Sequence, residues 1–268
     1  MRVEAASLNA RTVAVLAHCY FILPESAMSK IVIVYHSGYG HTKKVAEAVL
    51  AGTLEAGADA KLMPVGEIDD AAWAELAAAD AIIFGAPTYM GGPSADFKKF
   101  ADASSKPWFS QAWKDKIAAG FTNSAAMNGD KFSTIQYLVT LAMQHSMIWA
   151  GTGMMPSNTK AATRNDLNYV GGFTGLLTQS PADASPEEAP PAGDLETARM
   201  FGMRIAGVTA RWIAGGAITH CPKALVRRPR LCCARSRRAQ RSSERAARCK
   251  PSSTNLSGTP LHRLASVT

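Results

Sequence analysis

Between Ser37 and Thr42 the chain reads Ser-Gly-Tyr-Gly-His-Thr, with two hydroxyls and two glycines within six residues. Gly38 and Gly40 are free to adopt positive φ and let a ligand approach the backbone. An apolar run rich in β-branched residues, Ile31 to Val34, precedes the stretch, and a helical pattern follows it. The unpaired N–H groups of that helix start converge on the same point, which makes an anion site, most often for phosphate. Two later stretches carry complementary chemistry. In Ala86-Pro-Thr-Tyr-Met-Gly-Gly92, Pro87 stiffens a strand exit, Tyr89 can flank a planar ring, and two glycines let amides face a heterocycle. Thr122-Asn-Ser-Ala-Ala-Met-Asn-Gly129 is small and polar and offers N–H and C=O groups to a ring edge. Jointly these fit a flavin mononucleotide (FMN) site better than a dinucleotide site, since neither G-x-G-x-x-G nor a P-loop lysine after glycine occurs. His36 and His41 are out of phase for a metal pair, so no metal is expected.

An alternation of strands and helices must position these loops. After Ile31–Val34, the stripe Val45, Val49, Leu50 and Leu54 predicts a helix ending at Gly57. Strands are expected over 60–65, 81–85, 116–121 and 147–150. Helices are expected over 70–79, after Pro93-Ser94, and through Phe132, Ile135, Leu138, Val139 and Ala142. The stretch 152–193 breaks the rhythm and reads as a long functional or mobile loop. Asp194 is expected to cap a last helix striped by Ala198, Phe201, Ile205, Val208 and Trp212. This order specifies an α/β domain over residues 29–213, a parallel sheet with helices on both faces, whose ligands sit outside the carboxyl ends of the strands.

Charge and cysteine are unevenly placed among the 268 residues. The net charge is +8, but from Ala214 onward twelve Lys and Arg stand against Glu244 alone, which leaves a body of −3. Residues 214–268 are expected to be a basic disordered tail, read as an out-of-frame terminus rather than as a nucleic-acid or membrane segment, since no aromatics are interleaved and the arginines fall on no helical face. Residues 1–28 read as an extension, either upstream of a natural start at Met28 or a weak targeting segment. Cys19 lies in that extension and Cys221, Cys232, Cys233 and Cys249 in the tail, so the central domain is free of cysteine and suits a reducing cytoplasm. No run of about 18 apolar residues occurs, so no membrane span is expected.

The motifs Ser37-Gly-Tyr-Gly-His-Thr, Ile83-Phe-Gly-Ala-Pro-Thr-Tyr-Met-Gly and Leu141-Ala-Met-Gln-His-Ser-Met resemble the flavodoxin superfamily. Within it they are most similar to NAD(P)H:quinone oxidoreductases of the WrbA type, over about Lys30 to Trp212. The resemblance implies a flavodoxin-like, doubly wound, five-stranded parallel sheet of order 2-1-3-4-5, FMN as cofactor, NADH or NADPH as donor, and a quinone as substrate. It implies that Ser37, Gly38, Tyr39, Gly40, His41 and Thr42 hold the phosphate, and that Pro87, Thr88, Tyr89 and Met90 flank the ring. Thr122, Asn123, Ser124, Ala125, Ala126 and Met127 would line its pyrimidine side. His145 would lie near the flavin as the catalytic group, often reaching a neighbouring subunit's site, Tyr39 would touch the nicotinamide nucleotide, and Trp108 would wall the substrate pocket. A homodimer or tetramer is also implied. One departure stands out: the glycine-rich Thr-Gly-Thr-Gly-Gly-Gly loop of the family is Thr-Asn-Ser-Ala-Ala-Met here. A flavodoxin-type one-electron carrier without its own substrate is the alternative reading.

Overall fold

The computed structural model describes residues 28–216. The expected N-terminal extension and basic tail lie outside these residues, apart from their inner margins. Ile31–Val34 form the heart of β1 (Lys30–Tyr35), which pairs in parallel with β2 (Asp59–Pro64) on one side and β3 (Ala81–Tyr89) on the other. Beyond β3 lie β5 (Ile117–Ser124) and then β6 (Ile148–Trp149), all parallel. The path β2-β1-β3-β5-β6 is the expected 2-1-3-4-5 order, with a two-residue antiparallel β4 (Gly92–Pro93) folded back on the end of β3.

Strand residues alternate between two cores, as the two-residue strand period requires. Ile31, Ile33, Ile83 and Phe121 face α1 (His41–Glu55) and α6 (Ala192–Ala214), where they meet Val45, Val49, Phe201 and Ile205. Val32, Val34, Ile82 and Phe84 face α2 (Asp70–Ala78), α3 (Ala95–Ala103) and α5 (Lys131–Gln144), where they meet Leu76, Phe97, Phe100 and Leu138. Each large side chain so buried favours folding by about 1.5–3 kcal/mol. A five-residue α4 (Ser105–Phe109) follows α3.

Helices α1 and α6 cross backbone to backbone through two glycines. A Cβ on Gly52 would fall 1.8 Å from the carbonyl oxygen of Arg199, and one on Gly202 would fall 2.1 Å from that of Val49. This crossing ties the helix that follows the first loop to the last helix of the domain.

The segment after residue 150 departs from the expected irregular loop. The last sheet position is shared by two pieces, with β6 pairing to Ile117–Ala118 and β7 (Leu176–Gln179) pairing to Phe121–Ser124. The excursion between them is pinned at its base by Thr152 Oγ1 donating to Gly172 O at 2.7 Å and Trp149 Nε1 donating to Thr174 O at 2.7 Å. Asn168 closes its centre by donating to Met154 O and accepting from Gly172 N, at 3.1 and 3.0 Å. Asp194 does not cap α6. The helix begins two residues earlier, and the buried Asp194 carboxylate accepts from both terminal nitrogens of Arg164 and, at 2.8 Å, from the N–H of Gln179.

Candidate functional site

The loop after β1 turns toward α1 on one face of the sheet, while the chain after β3 turns toward α3 on the other. A crevice opens between them at the carboxyl ends of the strands, where the strand order reverses. A cleft of about 570 Å³ occupies it.

Gly40 takes φ of 91°, which only glycine adopts without strain, and its carbonyl accepts the first helical bond from Lys44 N at 3.1 Å. Ser37 Oγ accepts from the N–H of Gly40 and of Lys43, both at 3.1 Å, so this hydroxyl caps the start of α1 and keeps its own proton for the cleft. The N–H groups of His41 and Thr42, the first two of the helix, have no backbone acceptor among the described residues. Thr42 is buried yet lines the cleft, with its hydroxyl beside those amides.

Pro87, Thr88 and Tyr89 form the second wall. The Tyr89 ring meets Tyr39 edge-on at 6.2 Å, and its hydroxyl sits 2.7 Å from where a Cβ on Gly38 would lie, which explains a glycine there. Burial first, and then the neighbouring Tyr39, raise the Tyr89 phenol above its ordinary pKa, so it stays a neutral donor. Tyr39 itself stands at the mouth, 76% exposed. Asn123, Ser124 and Ala125 form the third wall.

The fourth wall, Ser180 to Pro186, went unforeseen in the sequence. Its residues Ser180, Pro181, Ala182, Ala184 and Pro186 close the cleft as a strap. His41 Nε2 donates to Ala184 O at 2.9 Å, and Pro186 packs so tightly on Gly40 that a Cβ there would lie 2.6 Å from its Cγ. At its other end the strap is wired to the third wall. Ser180 N donates to Ser124 O at 3.1 Å, Ser180 Oγ donates to Asn123 Oδ1 at 3.1 Å, and Gln179 Nε2 donates to Ala125 O at 2.6 Å. Among the lining residues there is no Asp or Glu, so an anionic ligand meets N–H and O–H donors without a repelling carboxylate.

Several expected site residues stand elsewhere. Thr122 is fully buried beneath the cleft, where its hydroxyl bonds Thr88 Oγ1 at 2.7 Å, and Thr88 in turn donates to Thr134 Oγ1 at 2.7 Å. Met90 points entirely into solvent from a residue with φ of 48°. Ala126 and Met127 turn their carbonyls inward to Lys131 Nζ, at 2.5 and 3.0 Å. The missed Lys131 carried no motif; its only sign was a lysine at a helix start, a position that disfavours cations.

His145 and Trp108 are corrected as parts of this chain's own cleft. His145 ends α5 just before β6, whose partners are the first residues of β5, so it lies at the amino edge of the sheet. It is 2% exposed, with its ring 4.1 Å from that of Trp113. Ser104 Oγ donates to Ala101 O, so it accepts from His145 Nε2–H at 2.8 Å, which leaves Nδ1 bare and buried. Burial drives the His145 pKa down to about 4, so the ring is neutral at pH 7 and has no access to a ligand. Trp108, in α4 at the same edge, packs edge-on against Phe109 at 6.3 Å and is 42% exposed.

Comparison with known proteins places this geometry. A family model described as NADPH-dependent FMN reductase matches residues 29–160. The chain is 50% identical over 184 residues to Flavodoxin FldP of Pseudomonas aeruginosa (strain UCBPP-PA14), covering 68% of this chain and 97% of that protein. It is 30% identical over 205 residues to an NAD(P)H dehydrogenase (quinone) of Paracoccus denitrificans (strain Pd 1222), covering 70% and 97%. Among solved structures, a flavodoxin, WrbA-like protein from Agrobacterium tumefaciens superposes with a TM-score of 0.55 at 48% identity, covering 68% of this chain and 98% of that one. The chain therefore belongs to the flavodoxin-like family of FMN oxidoreductases that includes both Flavodoxin FldP and the NAD(P)H dehydrogenases (quinone).

Proposed function

We propose that this chain binds FMN in the cleft and uses NADH or NADPH to reduce quinones by two electrons. The observation that carries the reading is a cleft with an anion-binding end, an aromatic wall and no carboxylate. The residues fit the group. The His41 and Thr42 amides with the Ser37 and Thr42 hydroxyls would hold the phosphate, and the volume falls in the ~300–1,000 Å³ range of small-molecule sites. Bound FMN would supply the electron chemistry between the nicotinamide nucleotide and the quinone. The chain binds and orients it. Tyr89 and Pro87 would pack on the ring, Asn123 to Ala125 would offer polar groups to its edge, and the strap would keep water from the phosphate end. Tyr39, exposed at the mouth, gives a nicotinamide ring a surface on which to stack. Trp108 would reach a quinone only in the cleft of a second copy, within a homodimer or tetramer.

The absorption spectrum of protein reconstituted with FMN, followed by NADH or NADPH and benzoquinone, tests this reading. A flavin-loaded protein that turns over no nicotinamide nucleotide refutes it. One observation favours the second reading, a one-electron carrier. Neither Trp108 nor His145 lines this chain's cleft, so the two groups that the resemblance assigns to catalysis and to the substrate wall are not supplied to it by this chain. A carrier would consume NAD(P)H only when a separate reductase is added, and the enzyme would do so unaided.

A further inference from the structure

The loop that continues the third wall is held by a group that binding as described above does not use. Lys131, the first residue of α5, is 1% exposed, and its Nζ donates to the carbonyls of Ala126 and Met127. Two effects oppose a charged lysine there. Burial penalises its charge, and the positive end of α5 repels it. The charged groups that act on it are Asp194 of α6 and Arg164 of the 152–175 segment. Asp194 is already taken by Arg164 and the Gln179 amide, and Arg164 adds repulsion. The ammonium is thus a buried cation whose acceptors are two carbonyls of the loop that continues the third wall.

What the arrangement gains is the shape of the wall. The C=O and N–H of a trans peptide point in opposite directions. With the oxygens of Ala126 and Met127 drawn toward Lys131, the N–H groups of Met127 and Asn128 face away from it. Gly129, at φ of 54°, makes the tight return possible, since a Cβ there would lie 2.3 Å from Ser124 Oγ. The Ala126 carbonyl that Lys131 holds also accepts from Ser124 Oγ at 3.2 Å, which joins the positive charge to the third wall.

We propose that Lys131 is a positioning residue for FMN, its ammonium pinning the third wall in the form that binds the cofactor, so that FMN affinity follows the charge of this lysine. The proposal rests on the FMN reading above. Burial, opposed by Asp194 and reinforced by Arg164, lowers the lysine to about 8, so the pin loses its charge, and with it the strength of its two hydrogen bonds, in mildly alkaline solution.

The test is the dissociation constant of FMN, read by quenching of flavin fluorescence on apoprotein between pH 7 and 9.5. The wild type, Lys131→Met and Lys131→Arg are compared, each checked for folding by circular dichroism. Wild-type affinity should fall about tenfold across this interval, bending near pH 8. Lys131→Met should bind about tenfold more weakly than wild type at pH 7 and show no bend. Lys131→Arg, charged throughout, should bind at pH 7 within about threefold of wild type and also show no bend. A flat wild-type profile, or undiminished affinity in Lys131→Met, overturns the proposal. If Lys131→Met does not fold, a bend that persists in Lys131→Arg overturns it. Failure of the wild type to bind FMN at any pH strikes the cofactor reading itself.

Discussion

His145 makes the acid limb of stability calculable. Its ring is neutral in the fold because burial lowers its pKa to about 4, against 6.5 when exposed. The unfolded chain therefore binds more protons between these values, and stability declines as pH falls from about 6.5 toward 4. Above pH 6.5 the contribution is complete; below 4 nothing further is lost. At about 1.36 kcal/mol per unit, the loss between pH 7 and 4.5 is roughly 2 kcal/mol, a large share of the ~5–15 kcal/mol that holds a domain together. His145→Gln keeps a donor for Ser104 Oγ but cannot titrate. It should be less stable at pH 7, because the contact with Trp113 is lost. Urea unfolding of both proteins at pH 7, 6, 5 and 4.5, followed by tryptophan fluorescence, measures the two slopes. The wild type should lose roughly 2 kcal/mol more than the variant over that range. Parallel slopes would refute the neutral, desolvated histidine on which the reasoning depends.

Further outcomes follow from the same geometry. Thr42→Val keeps the side-chain shape and removes one donor, so FMN should bind about tenfold or more weakly with the apoprotein melting point unchanged; titration of FMN checks it. Arg164→Met strands the Asp194 carboxylate in the interior and should cost about 3 kcal/mol in urea unfolding, more than the Arg164→Met, Asp194→Leu double variant. Gly52→Ala should destabilise by about 2 kcal/mol or more although alanine favours helices, because its Cβ meets a backbone carbonyl. Gly207→Ala, on α6 with nothing within 4 Å, should instead raise the melting point, a contrast that thermal denaturation resolves directly.

The sheet was legible because continuous apolar runs such as Ile31–Val34 and Ala81–Phe84 are bounded by turn residues, and the helical stripes fall between them. The first loop was legible because glycine and hydroxyl spacing before a helix has one dominant physical use. Side-chain direction was not. Thr122 and Asn123 are adjacent and equally polar, yet strand alternation sends the first hydroxyl to Thr88 beneath the cleft and brings the second residue to its wall. β7 escaped notice because four residues within a polar stretch give no periodicity to count. Asp194 carried the mark of a helix cap, but a bidentate arginine thirty residues away outcompeted that local role. His145 and Trp108 entered through resemblance, which transfers a position without its neighbours.

The strap bears on when the protein can first keep a cofactor during synthesis. The first wall is made at Ser37 and the last at Pro186, so a nascent chain holding three complete walls still has an open pocket. Closure waits for about 60 further residues to leave the ribosome, of the order of three to twelve seconds at ordinary elongation rates. Gly52 adds a second delay, since α1 lacks its packing partner until α6 has been made. Closure of the cleft is therefore a late event in the assembly of this domain, and a chain cut short before Ser180 should hold FMN less tightly than one that carries the strap.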